Sequence, residues 1–286
     1  MHIIFIFTLL AFALMRNSHE SLRAAIKEMT ALLSDLSQLG ALRQKFAEYM
    51  RVIHVHGEME DLNMFPLLDS VNGSPLDLGA AHIEDDALRV AVSKALDFGG
   101  DTASEDQLSA IKSSFENFVA FHLNHFVVEE KLMMPLTQKV HPTPQGRARA
   151  VHVHLVTPAM GRNAEEFVHY VGWCTNMLNQ YGSTEQPAMV AVRVFVRALH
   201  SASSASQWNV FKPVLKSNCS DEIWNAIANS YRIDEPVGDD KLAPDVHNKD
   251  PNSPTEQKQE VASAQAVVKE QPKQAAPDPA MGRLHY

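Results

Sequence analysis

The feature that most constrains this chain is a twelve-residue pattern that occurs twice. His56-Gly-Glu-Met-Glu60-Asp-Leu-Asn-Met-Phe65-Pro66-Leu67 and His125-Phe-Val-Val-Glu129-Glu-Lys-Leu-Met-Met134-Pro135-Leu136 both read H-x3-E-x4-[FM]-P-L, 69 residues apart. Each copy follows an earlier segment with an isolated histidine, His19 in the first case and His82 in the second. On a helix, residues four apart lie on one face, so each histidine and its glutamate point the same way. The repeat therefore predicts a duplicated helical hairpin that gathers imidazoles and carboxylates.

The surrounding periodicity fits that expectation. Over residues 16–138 apolar positions recur at three and four, the helical period. The first stripe contains His19, Leu22, Ile26 and Met29, and the second Leu42, Phe46, Tyr49, Ile53, His56 and Glu60. The second helix is expected to stop after Pro66 and the fourth around Pro135, because proline lacks the amide donor of a helix interior. A third helix is predicted over 78–98, closed by Gly99-Gly100. Four helices with short connections predict an all-α, up-down-up-down four-helix bundle over residues 1–140. Past the Pro-Thr-Pro linker that begins at His141, helical patterning continues and predicts a helical companion module over 141–233. From 234 to 286 large apolar residues become scarce, and a disordered tail is expected.

Composition removes several classes of function. A net charge of -9 opposes a nucleic-acid partner, which requires a basic patch. Two distant cysteines, Cys174 and Cys219, form no zinc or iron–sulfur spacing. Met1–Met15 is apolar but too short for a membrane-spanning helix. It reads either as a buried lead-in to the first helix or as a signal or membrane-associated segment. The expected setting is cytoplasmic.

Fourteen histidines make one H-x3-E pair unremarkable, since about one is expected by chance. Two copies on buried stripes with the same following residues are a different matter. His54 and Glu58 supply an internal control. They form an interleaved H-x3-E, but the apolar stripe passes through His56 and Glu60, so His54 and Glu58 are expected at the surface. Several imidazoles and carboxylates in a bundle core are costly to desolvate unless a cation pairs them. Glu60 and Glu129 can each span two ions, giving each ion two histidines and shared carboxylates. That donor set suits ferrous iron and dioxygen, and six ligands exceed one tetrahedral zinc site.

These residues resemble the hemerythrin-like, histidine–histidine–glutamate cation-binding family over residues 16–138. His19 matches that family's first-helix ligand, His56 and Glu60 the second-helix pair, His82 the third-helix ligand, and His125 and Glu129 the fourth-helix pair. The resemblance implies a non-haem diiron site with bridging carboxylates that binds dioxygen or senses oxygen or iron. The oxygen carriers of the family have five histidines and a bridging aspartate, whereas both modules here end in glutamate. Reversible oxygen carriage is therefore less firmly implied than the diiron site.

Other readings stay open at this point. Asp85 or Asp86 can replace or assist His82, and the alternative is an exposed acidic turn near a helix start. His122 reads as a neighbour of the ligands or as core. Glu20 and Glu130 point about 100° away from their neighbouring ligands, so both are expected to be exposed. The Glu166–His169 ExxH reads as surface pattern. The expected protein binds dioxygen or a related small ligand without a committed catalytic cycle, and its companion module offers a protein-partner surface. A diiron oxidase or peroxidase-like enzyme is the alternative, and a metal-free scaffold is the third.

Overall fold

A computed structural model describes residues 10–98 and 103–235, and every regular element among them is helical. Helix α1 (Leu10–Leu33) ends at a short 3-10 turn, Leu36–Gln38, whose Asp35 side chain accepts from the Ser37 amide. Helix α2 (Leu39–Met59) runs through a π-helical turn, Glu60–Met64, into α3 (Phe65–Asn72). Gly73, at φ 76°, closes α3 in the left-handed conformation that glycine adopts without steric cost. Helix α4 (Leu78–Leu96) and the 36-residue α5 (Glu105–Val140) follow. A capping box between Ser104 and Gln107 starts α5 by satisfying two otherwise unpaired groups.

Helices α1, α2, α4 and α5 form a ring in which each packs on two others. Leu22, Met29, Leu42, Val92, Ile111 and Phe118 are fully shielded inside it. Burying side chains of this size stabilises by about 1.5–3 kcal/mol each, so the packed rods can hold a costly polar centre.

The prolines do not stop the helices where the sequence suggested. The chain stays helical past Pro66 to Asn72 and past Pro135 to Val140. In the π turn the Phe65 amide reaches back five residues to the Glu60 carbonyl, so the ladder is already displaced. Pro66 then enters in the first turn of α3, where no intrahelical donor is needed. Pro135 does lie inside α5, and packing of that long helix on α1 and α4 carries it across the missing bond. The expected Gly99-Gly100 cap lies outside the described residues. Arg43 donates to the Leu96 and Phe98 carbonyls at 2.8 Å each and so satisfies groups at this helix end.

Past Thr143, whose hydroxyl caps it, α6 (Pro144–Val151) passes through a second π turn, His152–Val156, into α7 (Thr157–Tyr181). Asn163 breaks α7 with non-helical angles. Helices α8 (Ala188–Ser201), α9 (Ala205–Ser217) and α10 (Asp221–Ser230) complete the order, with Trp208 and Trp224 buried among them. Helix α1 is covered on two sides, by α2 and α5 and by α7 and α8. Its polar residues satisfy themselves locally in that dry setting: Asn17, Ser18 and Ser21 donate to carbonyls four residues earlier at 2.8–3.0 Å.

At the N-terminus, residues 1–9 of the apolar segment lie outside the described residues, while Ala13, Leu14 and Met15 are buried in α1. No helix among the described residues is long and apolar enough to cross a membrane. All but the first two residues of the expected tail also lie outside the described part.

Candidate metal centre

All six residues singled out by the sequence converge inside the ring. His19 comes from α1, His56 from α2, Glu60 from the first residue of the π turn, His82 from α4, and His125 and Glu129 from α5. Their donor atoms form two groups: His19, His56, Glu60 and Glu129 in one, and His82, His125 and Glu129 in the other. Within each group the donor atoms lie within 4.8 Å of one another. Glu129 belongs to both, and Glu60 Oε2 also stands 3.4 Å from His82 Nε2, which joins the groups into one centre.

Each imidazole turns Nε2 inward. His19 Nε2 lies 3.6 Å from Glu60 and 3.5 Å from Glu129, while His82 Nε2 is 3.4 Å from each of the same two glutamates. His56 stands 3.3 Å from Glu60, and His125 stands 2.9 Å from Glu129. The arrangement thus repeats itself, with the second hairpin mirroring the contacts of the first.

Separations this short normally mean hydrogen bonds, but the alignment is wrong. Nε2 of His19, His56 and His125 and both oxygens of Glu60 and Glu129 are buried without a hydrogen-bond partner. Seven unpartnered polar atoms in one core would cost several kcal/mol if they stayed so. They share the space between them, and a cation there satisfies all seven. Four imidazole nitrogens with two carboxylates suit a borderline transition-metal ion, whose ligands must be neutral histidine and ionised glutamate.

Charge among these donors is already partly arranged for this. Burial pushes His56 down to about 4, keeping its ring neutral. Burial also opposes charge on His19 and His82. For His19 the carboxylates of Glu130, Glu60 and Glu129 outweigh it and lift the ring to about 9. For His82, Glu129 and Glu60 lift it to about 11. Burial opposes charge on Glu60 and Glu129 too, but their histidine neighbours hold both carboxyls below the ordinary range.

The outward nitrogens reveal residues that sequence reasoning missed. Glu130 accepts from His19 Nδ1 at 3.0 Å, and Asp61 accepts from His82 Nδ1 at 2.8 Å. Each acid directly follows the ligand-position glutamate of its repeat, so the pattern is better written H-x3-E-[DE], and that extension was readable in both copies. An acid on Nδ1 fixes the tautomer that presents Nε2 inward. Tyr170 does the same for His56, with its hydroxyl 3.2 Å from Nδ1. No motif announced it.

Two expectations need correction on this point. Glu20 and Glu130 are not exposed: Glu20 is buried, and Glu130 is only partly accessible between His19 and Arg23. The loop after α7 covers Glu20, where the Thr184 amide donates at 2.6 Å. Such coverage comes from residues 164 positions away and leaves no local trace.

Near His82 the ambiguity resolves. Asp85 is buried 2.8 Å from His122 Nδ1 and 3.3 Å from Arg89, while exposed Asp86 pairs with Arg89 as well. Neither aspartate joins a donor group. His122 accepts from the Tyr49 hydroxyl at 2.5 Å and also stays outside. His54 and Glu58 sit 3.6 Å apart at the surface, with the His54 side chain 74% exposed. Glu166 and His169 are surface pairs to Arg51 and Glu48 on α2. A cavity of about 270 Å³ is lined by His56, His82 and His125 together with Asp85, Arg89 and His122.

An all-helical ring that converges imidazoles and carboxylates on a shared buried point defines a cation-binding helical bundle. Residues 10–136 match the family described as the hemerythrin HHE cation-binding domain. No curated protein and no solved structure matches the chain.

Proposed function

We propose that the chain holds two non-haem iron ions, one in each donor group, with Glu129 shared and Glu60 able to bridge. On this reading His19, His56, Glu60, His82, His125 and Glu129 are the metal ligands, and dioxygen or a related small ligand binds at the centre. The supporting observation is the set of seven buried, unpartnered donor atoms facing one space. Iron held by histidine and carboxylate with open positions supplies dioxygen binding and one-electron redox chemistry. The chain's own residues do the rest. The group of His82, His125 and Glu129 offers three donors against four in the other, and both groups reach the cavity, through His82 and His125 and through His56. The group with fewer donors leaves more open positions for a small ligand, while Phe126 stacks 4.4 Å from His19 in the other. No further inward carboxylate joins the groups among the described residues, which favours binding or sensing over an oxygen-activating enzyme.

Protein purified without chelator should carry close to two irons per chain by metal analysis. Less than half an equivalent would sink the reading. Admitting air to the reduced protein then separates the functions: a stable, reversible absorption change is expected, whereas steady oxygen consumption with a reductant would mark an oxidase.

Metal uptake should also release protons. His19 and His82, raised to about 9 and about 11, carry an extra proton at neutral pH that Nε2 coordination must expel. Uptake in weak buffer near pH 7 should therefore liberate about two protons per loaded chain and weaken as pH falls. A pH electrode or indicator dye reads this directly, and uptake without proton release would contradict the protonation pattern.

A further inference from the structure

The duplicated centre is symmetric in its inner contacts and asymmetric in what surrounds it. His56 and His125 are equivalent positions of the repeat, each four residues before its glutamate. His56 meets the Tyr170 hydroxyl at 3.2 Å, and the two rings stack at 6.3 Å with an interplanar angle of 22°. Both histidines line the cavity, but His125 has no such hydrogen bond among the described residues. Tyr170 lies on α7, beyond the end of the family-matching segment at residue 136. One half of the duplicated site is therefore completed by a part of the chain outside the duplication.

The tyrosine is held firmly. It is 2% exposed, and its hydroxyl is within hydrogen-bonding reach of Ser18 and Cys174. Helix α7 is tied to α2 by the two-point contact of Arg51 with Glu166 at 2.7 and 2.9 Å and by His169 with Glu48 at 2.7 Å. It is tied to α1 by Ser21, which donates to the Cys174 carbonyl at 3.2 Å. With Nε2 facing the donor group, the proton of His56 sits on Nδ1 and is donated to the phenol oxygen. The phenol hydrogen is then free to go to Ser18 or Cys174. A neutral oxygen accepts from His56, whereas carboxylates accept from His19 and His82, so the His56 ring is the least polarised of the three.

Building on the metal-binding reading above, we infer that Tyr170 is a positioning residue of the centre, which makes the two ion positions inequivalent and couples metal occupancy to the docking of α7. Coupling is reciprocal: if the docked tyrosine strengthens binding at the His56 position, a bound ion resists the opening of α7 by the same factor. The C-terminal helices thereby sense whether the centre is filled.

The probe is cobalt(II) titrated into the metal-free full-length chain, wild type against Tyr170→Phe, with Tyr181→Phe on the same helix as control. Tyr170→Phe keeps the ring and removes only the oxygen. Its tighter binding step is expected to weaken by roughly 10–100-fold, the usual effect of losing an outer partner of a metal-bound histidine. Hydrogen exchange at the amides of Tyr170, Val171 and Cys174 should slow on metal loading in wild type by a similar factor of roughly 10–100, and much less in Tyr170→Phe. That comparison is made within each variant, so a general loss of stability cancels. Equal affinities and equal metal-dependent protection in the two proteins would overturn the inference and leave the metal-binding reading intact. A wild type that takes up no cobalt would overturn both. Should Tyr170→Phe fail to fold, the exchangeable imidazole N–H signals of the cobalt-loaded wild type decide: the His56 signal is expected to exchange more slowly than that of His125, and equal rates would refute the inference.

Discussion

In Glu129→Ala, bound iron is expected to fall at both positions at once. Glu129 is the only residue common to the two donor groups, with one oxygen 2.9 Å from His125 and the other 3.5 Å from His19. Removing an outer partner of a ligand costs roughly 10–100-fold in metal affinity, and losing a shared ligand costs at least that at each position. His56→Ala should empty the four-donor position first. His54→Ala, two residues away in the same helix and exposed, should leave the iron content unchanged. Metal analysis of the three variants gives the answer, and iron loss from His54→Ala equal to that from His56→Ala would show that the assignment of helix faces is wrong.

Removing the metal with a chelator should lower the melting temperature substantially. Loading at about a thousand times the dissociation constant stabilises by about 4 kcal/mol, which for a folded part of this size corresponds to roughly 8–16 °C. The direction follows from the core itself, since without an ion the oxygens of Glu60 and Glu129 and three imidazole nitrogens keep no partner. Differential scanning calorimetry on chelated and iron-reloaded protein reads the effect. A shift under about 2 °C at saturating iron would mean that the ion contributes little to the fold and that the buried groups are satisfied in another way.

Much of the centre was legible in the sequence because its signals are local. A helix carries face information in spacing alone, so the paired H-x3-E motifs, the apolar stripe through His56 and the off-seam position of His54 could be read without any tertiary knowledge. His82 was harder, because acidic residues interrupt its stripe. Asp85 and Asp86 turn out to be occupied by Arg89, three and four positions on, a pairing that the helical spacing permitted but did not demand. The orienting acids Asp61 and Glu130 stand at a repeated position, but the helical angle alone puts Glu130 at the surface and no spacing singles out Asp61. What could not be read was coverage by distant chain. Glu20 is shielded by Thr184, and His56 is held by Tyr170, contacts spanning 164 and 114 residues with no periodicity to announce them. Pro66 misled for a related reason, since a π turn that displaces the hydrogen-bond ladder has no composition of its own.

The mirrored contacts of the two hairpins make each of them half a cage. One hairpin supplies a lone histidine, an H-x3-E pair and a trailing acid, and its trailing acid braces the lone histidine of the other, Asp61 on His82 and Glu130 on His19. Neither half can therefore be loosened without slackening a donor that belongs to its counterpart.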